Sequence, residues 1–463
     1  MKKADRIRNM DQITEGVIWK QLLIFFFPIL LGTLFQQLYN TVDTIIVGRA
    51  VGTGALAAVG ATTALVNLFS GFFIGLSSGV TVIVSQAYGA RDREGVSRSL
   101  HTGMALALLL GLMVMAVGIF TGPAILRWTQ VPESCYRDAV TYVQIYFTGS
   151  LAFMIYNMGS GILRAFGDSL RPTLFLIAAS VVNIVLDIVF VVYLHMGIAG
   201  AAWATVISQV VSALLVLASM MAQPEFTRLH FKKLRIHMGL IRSILVIGIP
   251  AGLQFITYDL SNILVQSGVN SFGEVTIAAW TAYQKTDAIT WIIVNSCGLA
   301  VTTFVGQNFG AQKYRRVRQS VWISMAMSTA MVLTCSLTIL FLRRPILGIY
   351  TSDREVIETG AWVMLMILPI NFIFMPTEVF AGAMRGTGYT IVPTVITACC
   401  VCLFWILWVT FLVPQVHTIP ILAAVYPISW FAALIFFTLE YRRNRWMSLP
   451  ISQGGMLPED QEP

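Results

Sequence analysis

Twelve apolar runs, each long enough to cross a bilayer, constrain this chain more than any other feature of it. They are 18–46, 55–86, 96–122, 139–163, 172–194, 198–222, 243–269, 275–306, 319–342, 356–384, 391–413 and 419–440. A helix needs about 20 apolar residues to span the hydrocarbon. Turn and charge clusters separate the runs, as at Gly89-Ala90-Arg91-Asp92-Arg93-Glu94 and Gly310-Ala311-Gln312-Lys313. In lipid the backbone must satisfy its own hydrogen bonds, so spans are helices or closed barrels. The alternating pattern of barrel strands is absent. The expected fold class is therefore an all-α integral membrane protein with twelve transmembrane helices. Only 11% of residues are charged, against about 25% in a soluble domain, and a soluble enzyme is excluded.

Lys and Arg are unevenly placed. Counting Lys20 and Arg98, at the ends of their runs, with the segments they adjoin, the amino terminus, every second loop and the tail hold 23 of the 30; the intervening loops hold 6, and Lys285 alone falls well inside a span. Such a bias puts the rich side in the cytoplasm. A multi-pass protein of a prokaryotic plasma (inner) membrane, with both termini cytoplasmic, is expected. The same scatter argues against nucleic acid, whose partners gather basic residues on one folded face. The 223–242 segment, with Arg228, Lys232, Lys233, Arg235 and Arg242, reads as a cytoplasmic connector, and an interfacial helix is one form open to it. Five of the six cysteines sit inside apolar runs, without the spacing of a metal site, and read as small core residues.

The chain repeats itself. At a constant offset of 221, Gln86/Gln307, Gly89/Gly310, Ala90/Ala311, Val96/Val317 and Ser99/Ser320 are identical. So are Gly161/Gly382, Arg164/Arg385, Gly167/Gly388, Pro172/Pro393 and Thr173/Thr394. Pro28 and Pro250 correspond one insertion away. Each half carries six spans and inserts the same way up, so two six-helix lobes related by a pseudo-two-fold axis along the membrane normal are expected. Their bounds are 18–222 and 243–440, flanked by a cytoplasmic start, 1–17, and a cytoplasmic tail, 441–463. Secondary transporters are commonly built from such repeats, with substrate bound between them.

Ionisable side chains in hydrocarbon cost at least ~2.5–3.5 kcal/mol each by insertion scales. The spans hold Asp43, Asp187, Asp259, Lys285, Asp287 and Glu378, five acids and one base. An acidic interior favours cations. Gln36, Asn40 and Asp43 share one face of the first helix, and Asn183 and Asp187 share one of the fifth. Thr205 opens the sixth after the Gly197–Gly200 turn. Carboxylate, amide and hydroxyl oxygens suit a hard cation such as Na⁺, and a carboxylate pair equally carries a proton. In the second half Asp259 shares a face with Asn262 and Gln266. Lys285 and Asp287, two residues apart, point away from one another. Gly71, Gly75 and Gly79 mark a close helix contact. Pro28 permits a kink before the first acidic face.

Several strings resemble the multidrug and toxic-compound extrusion (MATE) family. Pro28 to Gly60 reads PILLGTLFQQLYNTVDTIIVGRAVGTGALAAVG. RAFGDSLRPT follows at 164–173, NIVLD at 183–187, GIAGAAWAT at 197–205, VGQNFGAQ at 305–312 and GAMRGTG at 382–388. The resemblance covers about 15–440. It implies export of varied, mostly cationic or amphipathic organic compounds by alternating access, coupled to H⁺ or Na⁺, with no enzymatic activity and no other cofactor. Within the family the chain is similar to the DinF-like branch, which carries a first-helix acid and a fifth-helix Asn…Asp pair. The resemblance thus implies a coupling-cation site, with Na⁺ as a candidate metal, at Asp43, Asn183, Asp187 and Thr205. Gln36, Tyr39, Asn40, Asp259, Lys285, Asp287 and Glu378 are candidates for the substrate cleft. Asp259 falls near the seventh-helix acid of the NorM-like branch, whereas Glu378 is displaced from its tenth-helix acid. A monomer in the lipid bilayer is expected.

The alternative is a lipid-linked saccharide or lipid flippase of the wider superfamily, which calls for more intramembrane Arg or Lys than the single Lys285. An intramembrane aspartyl protease needs a GxGD partner motif, and the nearest string is Ala165-Phe166-Gly167-Asp168.

Overall fold

The computed structural model describes residues 13–448; most of the 1–17 start and the end of the 441–463 tail lie outside them. Every regular element among the described residues is helical. The spans are α1 (Ile18–Ala50), α2 (Thr53–Gly89), α3 (Arg93–Trp128), α4 (Glu133–Thr148) with α5 (Ser150–Ala165), α6 (Leu170–Tyr193), α7 (Gly197–Met221), α8 (Met238–Asn270), α9 (Glu274–Gly310), α10 (Tyr314–Phe341), α11 (Arg354–Thr387), α12 (Ile391–Val416) and α13 (Ile419–Arg443). Eleven cross as single helices. The fourth span is broken at Gly149, where α4 and α5 bend by 46°, which completes the expected twelve. Many large apolar side chains on these helices, such as Ile24, Leu109 and Leu112, are exposed. In water that would be costly; in a bilayer those faces meet acyl chains.

The duplication is written in the backbone. α2 and α9 both have 37 residues, from Thr53 and Glu274, an offset of 221. Left-handed φ angles recur at the same register: Gly52 (117°) and Gly273 (88°), Arg91 (56°) and Gln312 (58°), Gly167 (87°) and Gly388 (91°). The π-helical turn Ile188–Tyr193 that ends α6 has a counterpart at Trp408–Leu412 in α12.

The packed units differ from the sequence halves. One is Phe27–Gly252; the other joins Ile13–Phe26 to the chain from Leu253 onward. α1 and α8 therefore each belong to both, and each changes unit within two residues of its internal proline, Pro28 or Pro250. The contacts explain why. Arg316 at the start of α10 donates to the carbonyls of Ile13, Glu15 (2.9 Å) and Gly16 (2.7 Å) and to Gln21 Oε1 (2.8 Å). Lys313 Nζ reaches Thr14 O at 2.9 Å, and Asn308 Nδ2 donates to Ile13 O. These bonds hold the first turns of the chain on α9 and α10. In the other unit, Gly75 and Gly79 of α2 press on Gly248 and Gly252 of α8, backbone against backbone. The glycine stripe read from the sequence is thus a helix crossing.

The 223–242 connector forms no helix of its own: before α8 begins at Met238 it holds two three-residue 3-10 turns, Glu225–Thr227 and Phe231–Lys233. It is tied down instead. His230 N–H donates to His101 Nε2 (3.1 Å), Thr102 Oγ1 donates to Arg235 O (3.2 Å), and Phe226 stacks on Tyr88. Of the cysteines, Cys135, Cys297 and Cys402 are buried, but Cys399 is exposed.

Candidate functional site

In the Phe27–Gly252 unit, the carboxyl and amide groups singled out by the sequence are buried: Asp43 is 8% exposed, Asn183 and Asp187 0%. Local structure explains their placement. On α1 the inward stripe runs Gly32, Gln36, Tyr39, Asp43, Val47 at helical spacing. Gly32 lets α6 approach, since an added Cβ there would lie 3.2 Å from Thr173 Oγ1. Thr173 also donates to the Pro28 carbonyl at 2.7 Å, so the proline turn of α1 is bonded to the first turn of α6. Asn183 and Asp187 lie one turn apart on α6, and the helix loosens to π geometry at the next residue. Such π segments cluster at functional sites because they re-aim side chains.

The Asp43 and Asp187 carboxylates interact electrostatically, and Tyr142 on α4 feels both, together with Tyr39 and Tyr146. Tyr142 and Tyr146 stack at 6.2 Å, and Tyr156 donates to Pro172 O at 3.2 Å. Tyrosines from α1 and α4 therefore lie beside the acid pair, and Tyr156 of α5 lies beside Tyr39. Asp43 Oδ1, both Asp187 oxygens and both Asn183 amide atoms have no hydrogen-bond partner among the described residues. Buried polar atoms are paired in more than nine cases of ten, and each exception asks for a cause. Five stand together here: four oxygens with nothing to accept from, two of them on one carboxylate, and one amide N–H group with nothing to donate to.

Thr205 is buried at 7% on α7, which packs along α6. Gln36 and Tyr39 are half-buried, but Asn40 is exposed and its carbonyl merely accepts from Thr44. Asn40, which the i, i+4, i+7 spacing places on the face of Gln36 and Asp43, lies at the exposed margin of that face, and the more buried stripe passes through Tyr39. Tyr142, Tyr146 and Tyr156 were not reached from the sequence, since 14 Tyr and 28 Phe in apolar runs make single aromatics uninformative. Only the i, i+4 spacing of Tyr142 and Tyr146 hinted at a shared face.

The unit that begins at Leu253 has no such cluster at the corresponding positions. An offset of 221 carries Asn183 and Asp187 to Phe404 and Trp408, whose rings lie 5.2 Å apart. Two of its own acids, Asp287 and Glu378, are satisfied. Asp287 Oδ1 accepts from Asn371 Nδ2 (2.8 Å), and its Oδ2 from Trp291 Nε1 (3.0 Å) and Tyr283 O–H (3.3 Å). Glu378 forms an ion pair with Arg385 at 2.9 Å. Asp259 is half-buried, while Lys285 is exposed and forms no ion pair among the described residues. Around Asp287, Trp291, Phe374, Tyr426 and Trp430 make an aromatic nest with centroids 5.0–6.5 Å apart. Among the described residues, no three His, Cys, Asp or Glu side chains group to hold a metal ion.

Twelve spans in two duplicated bundles, one carrying an unpartnered acid cluster within the membrane, define a secondary-transporter fold. Residues 28–189 and 250–409 match the MatE family, and the chain belongs to it, a family of membrane transporters. The "Probable multidrug resistance protein YpnP" of Bacillus subtilis is 30% identical over 80% of this chain and 84% of its own. The "Probable multidrug resistance protein NorM" of Thermotoga maritima is 24% identical over 82% of each. Among solved structures, an outward-facing multidrug resistance MATE family transporter of the MOP superfamily superposes with a TM-score of 0.85 at 22% identity, covering 94% of this chain and 97% of that one. A MOP superfamily transporter from Pyrococcus furiosus gives 0.84 at 21% identity, over 95% and 98%.

Proposed function

We propose that this chain is a cation-coupled antiporter of the plasma membrane that exports cationic or amphipathic organic compounds, and that Asp43, Asn183, Asp187 and Thr205 hold the coupling cation, as in the DinF-like branch. The observation that carries the reading is the group of five buried, unpartnered polar atoms on Asp43, Asn183 and Asp187. A buried charge without a counter-charge costs several kcal/mol. A proton or Na⁺ offsets that cost and also relieves the repulsion between the two carboxylates. Binding of the ion therefore favours whatever packing brings α1 and α6 together. The Thr173–Pro28 bond couples that packing to the proline turn of α1, where a bend is permitted. A drug that needs the same cavity is released as the ion enters.

The energetics set what must drive the cycle. One charge crossing 100 mV releases ~2.3 kcal/mol, roughly a fiftyfold gradient. If one monovalent ion exchanges for one monovalent drug, no net charge moves, and the chemical gradient of the ion does all the work. The relatives named for multidrug resistance support an organic substrate, and the acidic cluster favours a cationic one. A flippase for pyrophosphate-linked lipids calls for intramembrane basic groups, and the exposed Lys285 is a poor candidate.

The test is dye efflux from intact cells expressing wild type or Asp187→Asn, matched for expression, with Na⁺ and pH gradients imposed separately. Loss of at least tenfold in efflux rate is expected, and the gradient that drives wild type names the ion. Wild-type efflux by the variant under both gradients overturns the site and moves attention to Asp287.

A further inference from the structure

One groove is left unexplained by the transport reading. It lies in the unit that includes Ile13–Phe26, has a volume of about 480 Å³, and is lined by Val17, Ile18, Trp19, Arg315, Arg318 and Trp322, among others. Trp19 is 53% exposed and Trp322 57%, with Trp322 resting edge-on against Tyr441 at 6.1 Å. Indoles at the rim of an apolar surface are characteristic of the membrane–water interface, where one edge is wet and the face is greasy. The groove lies beside one of the basic loops that the Lys/Arg bias assigns to the cytoplasm.

Comparison of the two repeats shows that basic charge without acidic neighbours is specific to the second. The first repeat starts α3 in the ordinary way for a helix. Asp92 Oδ1 caps it by accepting from Gly95 N at 2.9 Å, and Glu94 in the first turn pairs with Arg98. At the offset of 221, Asp92 becomes Lys313, Glu94 becomes Arg315 and Ser97 becomes Arg318. α10 accordingly begins with no acidic residue in its first turn and no side-chain cap. That runs against the helix dipole, which favours negative charge at this end. Lys313 and Arg316 are accounted for by the Ile13–Gln21 segment that they hold. Arg315 and Arg318 form no ion pair among the described residues. Three apart on the helix, they share a face.

We propose that this groove binds an anionic glycerophospholipid. Its phosphate sits between Arg315 and Arg318 at the open turn of α10, and its acyl chains run along Ile18, Trp19 and Trp322. Guanidinium groups grip phosphate oxygens in pairs, and a helix start adds backbone N–H groups to the same anion. The indole and aliphatic walls are what separate a lipid from free phosphate: an inorganic anion has no use for them. A cationic drug is repelled. The bound lipid also touches both sides of the Arg316 clamp, α1 on one and α10 on the other, so the occupied groove fastens the first turns of α1.

The full-length protein, purified in detergent, is titrated with phosphatidylglycerol or phosphatidylcholine, and retained lipid is counted by native mass spectrometry. Wild type is expected to retain phosphatidylglycerol at least tenfold more readily. The double variant Arg315→Gln/Arg318→Gln is expected to lose roughly twenty-five- to thirtyfold of that retention, about fivefold per basic residue facing an anionic headgroup. Trp322→Leu is expected to weaken retention severalfold with both guanidinium groups in place. Lys232→Gln/Lys233→Gln, an equal charge change on the connector, leaves it unchanged. Equal retention of the two lipids overturns the proposal, as does an equal loss from the connector variant. Displacement by inorganic phosphate at matched concentration makes the site a free-anion site and overturns it as well. So does a severalfold rise in retention in Glu459→Gln/Asp460→Asn/Glu462→Gln, which would make the acidic tail the occupant.

Discussion

Replacing Gly75 by alanine tests the helix crossing that divides α8 between the two packed units. A Cβ at Gly75 would stand 2.5 Å from Gly252 Cα and 2.6 Å from Ala251 C, both backbone atoms that no rotamer change can move. Ordinary contact begins at 3.4 Å, so the helices must part by roughly 1 Å. The reverse contacts are as tight: a Cβ on Gly252 meets Phe72 O at 2.6 Å, and one on Gly248 meets Leu76 O at 2.7 Å. A gap of 0.5–1 Å forfeits a quarter to a half of each atom pair's ~0.1–0.2 kcal/mol. Over some twenty pairs that is about 1 kcal/mol, and forced displacement adds to it, giving a net cost of about 1–3 kcal/mol. Any helix-propensity gain from alanine is at most ~1 kcal/mol and small where both states are helical. Gly60→Ala on the same helix is the control, because nothing lies within 4 Å of its Cβ. Thermal melting of purified protein is expected to show Gly75→Ala lower by about 2–5 °C and Gly60→Ala unchanged. Equal melting of the two variants would refute the crossing as the element that holds the first half of α8.

The other expectations concern the second unit. Arg316→Gln removes most of the bonds to Ile13, Glu15 and Gly16, each worth about 1.5–3 kcal/mol for a charged donor. Backbone amides of residues 14–26 should then exchange with deuterium at least tenfold faster, and unchanged exchange would count against the clamp. Glu378→Ala strands Arg385, and both side chains are only 13% exposed. About 3–5 kcal/mol should be lost, with most of it regained in Glu378→Leu/Arg385→Met as read by melting. An efflux defect without any loss of stability would instead give Glu378 a role in the cavity.

The helices were legible because hydrocarbon leaves the backbone one option. A run of 20 apolar residues must satisfy its own N–H and C=O groups, and the ladder does so without help from elsewhere in the chain. Asp43, Asn183 and Asp187 stood out for a related reason: polar groups are scarce in spans, and Asn183 and Asp187 fall one turn apart on the fifth while Asp43 shares a face with Gln36 on the first. Burial was not legible in the same way: Asn40, at the same spacing, is exposed while Tyr39 beside it is half-buried. The spacing was silent on the tyrosines, which apolar sequence tolerates anywhere. The bond between Asp287 and Asn371 joins residues 84 apart, and no local pattern records it. Glu378 and Arg385 are two turns apart, a spacing from which their pairing could have been inferred.

Duplication, too, could be read from one dimension, because identities at a fixed offset survive wherever turns and tight contacts allow few residues. Which segments pack together could not. Pro28 and Pro250 show where α1 and α8 are able to bend, since proline removes a hydrogen bond from each helix. That the chain changes unit beside those prolines depends on contacts from distant sequence: Arg316 reaching back some 300 residues to Ile13–Gly16, and Gly75 meeting Gly252. Such contacts are short-ranged in space and unlimited in sequence, and they become visible only once the helices have been packed.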